Sequence, residues 1–256
     1  MKKIVLNADD FGLSKHTVEW TIKCFDAGVL SSATIMANMP GTSDAVDFAR
    51  THLNFNFGMH LYLSDEEPVS PPEDIPSIVG KDGKLYPTRI FILRCFLGLV
   101  DKQDIYREIM AQCIDLTRRG ITLGHIDGHG HMHRLPIVMD VLIGLKQRIK
   151  CNAIRGCQNL YYTKPFLGTR LYNNWMNHRI GKKFNKHKYF LMASGKTENR
   201  EWLRDVLRDI PDDGVTEIGV HPGIDEEWRQ IDCEYLLSHG QQVMREMNVE
   251  LQAMRF

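Results

Sequence analysis

The sequence predicts an α/β fold built as one irregular (β/α) barrel, and three observations carry that expectation. Short runs rich in Val and Ile alternate with segments of helical period, the pattern of βαβ units feeding a mainly parallel sheet. About seven such strand–helix units fit along the chain, which favours a barrel over an open sheet, with a doubly wound sheet as the alternative. The chain has 256 residues, and α/β barrels of about 250 residues fold as one unit. A single domain over residues 1–256 is therefore expected, with a lid or inserted segment around 160–195.

Each element has a local reason. Lys3–Ala8 is the first strand. A helix follows with Ser14 as N-cap, an apolar stripe of Val18, Ile22, Phe25 and Val29, and Gly28 near its stop. Ser32–Asn38 and Phe57–Leu63 read as strands and Ser43–His52 as the helix between them. The Pro-rich segment Ser64–Pro87 reads as a long loop whose Lys81-Asp82-Gly83-Lys84 forms a hairpin turn, and a loop of that length in a compact domain is more often functional than idle. Phe91–Val100 is apolar but short and carries Arg94. Asp101–Arg119 is helical through Ile105, Ile109, Cys113 and Leu116, with acids at its start and Arg118-Arg119-Gly120 at its end. Gly124–His129 and Cys151–Arg155 read as strands flanking a Pro136–Ile149 helix. Tyr161–Phe190 has weak periodicity. Glu201–Asp209 and Cys233–Met247 read as helices, and Val215–Val220 and Val249–Met254 as strands.

Composition narrows the class. Hydrophobic residues make up 43% and charged residues 25%, so the chain has the makings of a globular core. Acids and bases cancel at 32 each, which argues against a nucleic-acid binder driven by bulk charge. The cancellation hides a segregation, because Val141–Thr197 holds twelve Lys and Arg and no Asp or Glu. A solvated face or dimer contact, an anionic substrate, and a membrane surface are the three accounts of that block. The apolar run in Met1–Asp10 is too short for a signal peptide or a bilayer span, so a cytoplasmic protein without stable membrane insertion is expected. Six scattered cysteines without CxxC spacing fit buried thiols better than disulfides or a thiolate zinc site.

Four polar clusters fall at the C-terminal ends of predicted strands: Asn7-Ala8-Asp9-Asp10, Met59-His60, Asp127 through His133, and Glu217 through His221-Pro222-Gly223. In parallel α/β folds that edge collects ligands and catalytic groups. Two adjacent carboxylates after an apolar strand are costly to bury unless a cation is near. Since strand side chains alternate faces, Asp9 and Asp10 share a site only where the strand is already turning, as Phe11-Gly12 suggests. Asp127, His129, His131 and His133 alternate with Gly or Met and line one face if extended, with His129 nearest the strand end. Imidazole plus carboxylate suits Zn²⁺ and is compatible with Mn²⁺ or Fe²⁺, while Mg²⁺ prefers oxygen ligands. His16, His52, His178, His187 and His239 read as structural.

These motifs carry a family likeness. The sequence resembles the YdjC-like carbohydrate deacetylases, which share an irregular (β/α) barrel with the NodB-type polysaccharide deacetylases. The matching segments are Asn7–Gly12, Gly58-Met59-His60-Leu61, Asp127–His133 and Glu217–Gly223. The resemblance implies Asp10, His60 and His129 as ligands of one divalent metal ion, Mg²⁺ or Zn²⁺ foremost, and Asp9 as catalytic base. It further implies His221 as general acid, and Arg155 looks like the arginine that orients the base in related deacetylases. Asp127 and His131 are expected behind the ligands, as partners of their other ring nitrogens or of substrate.

The implied reaction is metal-dependent hydrolysis of an N-acetyl group on an amino sugar or short N-acetylated oligosaccharide. The alternatives are a metal-dependent phosphohydrolase or amidohydrolase on the same barrel, or a non-catalytic sugar-binding relative. The expected partner is a small carbohydrate, with no nucleic acid, and a homodimer is compatible with the charge pattern.

Overall fold

Ten residues from Lys2 open the structure as one long strand, and every other strand is placed relative to it. The structure is a computed structural model, and residues 1–193 and 201–254 are described. The last residues of the acid-free block and of the expected 160–195 insertion lie outside that set. The elements run β1 (Lys2–Phe11), α1 (Lys15–Asp26), β2 (Ser32–Ile35), α2 (Thr42–Thr51), β3 (Asn56–Leu61), α3 (Thr88–Phe96), α4 (Lys102–Arg118), β4 (Ile126–Gly128), α5 (Pro136–Ile149), α6 (Leu167–Gly181), β5 (Tyr189–Met192), α7 (Trp202–Asp209), β6 (Val215–Val220), α8 (Glu227–Glu246) and β7 (Val249–Leu251). All strand pairs are parallel, in the order β4-β3-β2-β1-β6-β5, with β7 on the N-terminal half of β1.

The irregular barrel expected from the sequence is present. Cys151–Arg155 does not form a regular strand as expected. It makes isolated bridges instead, Ile126 with Ile154 and Ala153 with Asn185, and these span the gap between β4 and the approach to β5. Arg155 is thereby fixed from the backbone, its N–H donating to the Ile126 carbonyl at 2.9 Å. The apolar stretch after the long loop is a helix, α3, anchored by the buried Phe91. The last helix begins six residues before the expected Cys233, at Glu227.

Local signals explain the elements that hold the site. Ser14 accepts from the Thr17 N–H while the Thr17 hydroxyl accepts from the Ser14 N–H, a reciprocal cap that starts α1 directly after β1. Asp101 caps α4. The inner face of α4 carries two buried acids as well as apolar residues. Glu108 accepts the backbone N–H groups of Val69 and Ser70 at 2.9 Å each, and Asp104 accepts that of Ser77 at 2.8 Å. These acids pin the 64–87 loop, whose backbone donors would otherwise be buried without partners. The hairpin turn in that loop is present, with Val79 bridged to Leu85 and Gly83 at φ +79°.

The strands beside the site sit very close together. A Cβ on Gly58 would lie 2.5 Å from the His125 carbonyl oxygen and 2.7 Å from its ring. Gly58→Ala should therefore cost about 1–3 kcal/mol through overpacking, read as a lower midpoint in urea denaturation.

Candidate active site

Asp9 and Asp10 reach one site because β1 stops being a regular strand between them. The pairing register with β2 shifts between Ala8 and Phe11, and Asp10 adopts φ +58°. That left-handed residue breaks the alternation that would have sent the second carboxylate to the opposite face. Both aspartates are buried at the C-terminal edge of the sheet.

Asp10 gathers two imidazoles and a guanidinium. Its Oδ1 lies 2.8 Å from His129 Nδ1 and 3.1 Å from His60 Nε2, and its Oδ2 accepts from Arg229 Nη2 at 2.6 Å. On the far side of the His60 ring, Nδ1 lies 2.7 Å from Asp127 Oδ1, and the Thr34 hydroxyl donates to Asp127 Oδ2 at 3.0 Å. Burial would lower the His60 pKa, but Asp127 and Asp10 outweigh it and push it up to about 10. The two flanking carboxylates thus call for positive charge on that ring. Burial would raise Asp10, but its hydrogen bonds with His129 and His60 hold it well below the ordinary carboxylate range.

A second network fixes Asp9. The buried Arg155 donates from Nη1 to Asp9 Oδ2 at 2.5 Å and from Nη2 to Asp9 Oδ1 at 2.7 Å, a two-pronged clamp. Its Nη1 also lies 2.8 Å from Asp127 Oδ2, and its Nε donates to Glu217 Oε1 at 2.5 Å. Asn7 Nδ2 adds a bond to Asp9 Oδ1 at 2.9 Å. Burial would raise Asp9, yet the Arg155 charge and hydrogen bonds hold it far below its usual value, so it is a carboxylate at neutral pH. His221 Nε2 stands 4.0 Å from Asp9 Oδ2, and burial lowers its pKa.

Among the described residues, two groups of side chains have donor atoms close enough to share a metal: Asp10 with His60 and His129, and Asp9 with His60 and Asp127. The first fits a divalent ion better. His60 Nε2 and His129 Nδ1 converge on the one Asp10 oxygen, and the His60 ring is oriented from behind by a carboxylate, as metal-binding imidazoles usually are. In the second group both carboxylates already pair with Arg155.

The histidine run is not extended as expected. His129–Arg134 is a 3-10 turn broken by Gly130 at φ +54° and His131 at φ +59°. The turn delivers His129 to Asp10 and carries His131 away, so the structure does not bring His131 to the ligand cluster. His131 is half-buried, its ring centre 6.1 Å from that of Phe190, with its Nδ1 buried and unpartnered among the described residues. Three participants went unpredicted. Arg229 arrives from the first turn of α8, a lone basic residue in Glu-Glu-Trp-Arg-Gln with nothing local to mark it. Trp228 packs edge-on to His221 at 5.5 Å between ring centres. His187, expected to be merely structural, lies 3.3 Å from Glu217 Oε2 and so borders the Arg155 network.

The sequence profile of the YdjC-like protein family matches residues 3–254. A carbohydrate deacetylase of Halalkalibacterium halodurans is 29% identical over 229 residues, covering 89% of this chain and 88% of that protein. Another, from Geobacillus stearothermophilus, is 37% identical over 146 residues, covering 57% of this chain and 56% of its own. Among solved structures, an Enterococcus faecalis V583 protein described as a cellobiose-phosphate cleavage protein superposes with a TM-score of 0.80. It is 24% identical, with 98% of this chain and 97% of the other covered, which shows a common fold.

The Arg155 network makes two predictions. Arg155→Gln leaves buried carboxylates uncompensated and should cost about 3–5 kcal/mol in chemical denaturation. Burial would raise Glu217, but chiefly the Arg155 charge lowers it from 4.5 to about 2. A carboxylate depressed in the folded state stabilises above its unfolded pKa, and that stability is lost as pH falls through the folded value. Glu217→Gln should therefore flatten the decline in stability between pH 4.5 and about 2 relative to wild type, measured by urea midpoints across that window.

Proposed function

Because the chain belongs to the YdjC-like protein family, we propose that it is a carbohydrate deacetylase, a hydrolase that removes the N-acetyl group of an amino sugar to give a free amine and acetate. Curated relatives named carbohydrate deacetylase support this reading. The observation that carries it is the pairing of an Asp10–His60–His129 ligand set with a clamped carboxylate, Asp9, and an imidazole, His221, 4.0 Å from that carboxylate.

An amide is a poor electrophile, so its hydrolysis needs a strong nucleophile, a polarised carbonyl and a protonated leaving nitrogen. Asp10, His60 and His129 would hold one divalent ion, Mg²⁺ or Zn²⁺ foremost. When bound, such an ion supplies Lewis acidity, which acidifies water and polarises a carbonyl oxygen. Asp127 fixes the His60 ring so that Nε2 faces the ligand point, and Arg229 holds Asp10 Oδ2 so that Oδ1 faces the imidazoles. Asp9 accepts the proton of the attacking water. Its low affinity for that proton makes it a transient holder, and His221, 4.0 Å away, can receive the proton and deliver it to the leaving amine. Burial lowers the His221 pKa from its usual value, so the ring is unprotonated at neutral pH and has a nitrogen vacant for that proton. Arg155 keeps Asp9 oriented throughout.

The test is acetate release from mono- and oligomeric N-acetylglucosamine, before and after chelation and with Mg²⁺ or Zn²⁺ restored. Activity is expected to vanish on chelation and return with metal. Undiminished turnover in the chelated protein, or release of phosphate from phosphoesters in place of acetate, would overturn the reading. Asp9→Asn should retain metal by elemental analysis while kcat falls about 10²–10⁴-fold. Asp10→Asn and His129→Ala should lose both metal and turnover.

A further inference from the structure

Helix α6 is apolar on two sides. Its inner stripe, Asn173, Met176 and Ile180, is buried against the body of the protein. A second stripe, Leu167, Leu171 and Trp175, follows the i, i+4, i+8 spacing of one helical face and lies open to solvent, with Leu171 59% and Trp175 50% exposed. Phe166, just before the helix, is 88% exposed. A soluble helix buries one stripe and turns charged or polar residues outward, so this outer face lacks the composition of a solvated surface. Helix α3 repeats the feature. Phe91 anchors it, while Ile90, Leu93, Phe96 and Leu97 are exposed.

Both helices belong to the rim of the candidate active site. The Tyr172 hydroxyl on α6 donates at 2.6 Å to the carbonyl of Arg134, the last residue of the turn that begins at His129. Thr88, the first residue of α3, bonds at 2.8 Å to the Ser64 hydroxyl and also to Asp65, just past β3 and His60. The exposed charge around α6 is mainly basic, and the acid that reaches the helix, Asp140, is already paired with Arg179 and Lys102. Lys164, Arg170, Lys182 and Lys183 are exposed and belong to the stretch Val141–Thr197 that contains no acid.

We propose that the exposed apolar faces of α6 and α3, with the bases around α6, dock the protein on an anionic lipid surface and hold the rim of the site against it. Aromatic and aliphatic side chains flanked by Lys and Arg on a helix lying in the plane of a bilayer are the composition that interfacial binding requires. Charge argues against a second copy of the chain as the occupant. In a two-fold contact the same patch faces itself, and the exposed Lys164, Arg170, Lys182 and Lys183 beside one α6 would meet those of the other. Docking of this kind needs no spanning segment, and no described helix is long and apolar enough to cross a membrane. The surface stands apart from the deacetylase reading, because vesicle binding is measured without turnover.

The test is co-sedimentation of the full chain with vesicles of phosphatidylcholine alone and of phosphatidylcholine mixed with phosphatidylglycerol. Binding is expected to the mixed vesicles, to weaken as salt screens the charges, and to shift Trp175 fluorescence to the blue. Leu171→Glu/Trp175→Glu and Leu93→Glu/Phe96→Glu should each abolish sedimentation while retaining the wild-type melting temperature. Lys182→Gln/Lys183→Gln should weaken partitioning by roughly tenfold or more. No binding to the mixed vesicles would overturn the proposal, as would equal binding of wild type and the glutamate variants. A wild-type dimer in size-exclusion chromatography that Leu171→Glu/Trp175→Glu converts to monomer would also overturn it, by giving the surface to a second copy.

Discussion

One buried guanidinium holds the centre of this molecule together. Arg155 touches Asp9, Asp127 and Glu217 at once, and each of those carboxylates comes from a different strand, β1, β4 or β6. Three acids withdrawn from water would repel one another and resist ionisation. With a single planar cation between them their charges become attractions that tie three strands at one level of the sheet. Arg155 occupies that position because residues 151–155 are irregular. The segment crosses the gap between β4 and the approach to β5 by isolated bridges, which lets its last residue turn its side chain into the barrel.

The electrostatics of the site follow from that arrangement. Two carboxylates adjacent in sequence, Asp9 and Asp10, end in two separate networks. Asp9 is claimed by Arg155, while Asp10 is left to the imidazoles and Arg229. The separation is made by backbone geometry, the register shift after Ala8 and the left-handed Asp10. Asp127 joins the networks, since one of its oxygens faces Arg155 and the other His60. A change at Asp127 would therefore reach both the proton-accepting and the metal-holding sides.

The surface shows the same division of labour. Acids that face inward on α4 tie down the 64–87 loop, whereas the bases of residues 141–197 mostly face outward beside exposed apolar side chains. A net charge of zero thus averages two regions of opposite charge. Glu108 and Asp104 organise loop backbone, whereas among the bases Arg155, Arg179 and Lys188 pair with acids and Lys164, Arg170, Lys182 and Lys183 stand exposed.

The sequence by itself determined the fold class, the positions of most elements and four of the clusters that meet in the site. Those rest on short-range physics: hydrophobic period, capping at Ser14 and Asp101, and the tendency of parallel strands to collect polar residues at one edge. Tertiary structure decided the rest. Whether His131 would follow His129 into the cluster depended on two left-handed residues that hold their conformation only within the packed turn. Arg229 and His187 join through contacts more than 200 and about 30 residues away in sequence, and a lone Arg or His carries no local mark of such a partner. The outer stripe of α6 was legible only as weak periodicity, because a helix apolar on two sides blurs its own pattern. Which side is covered is settled by packing, a property of the whole chain.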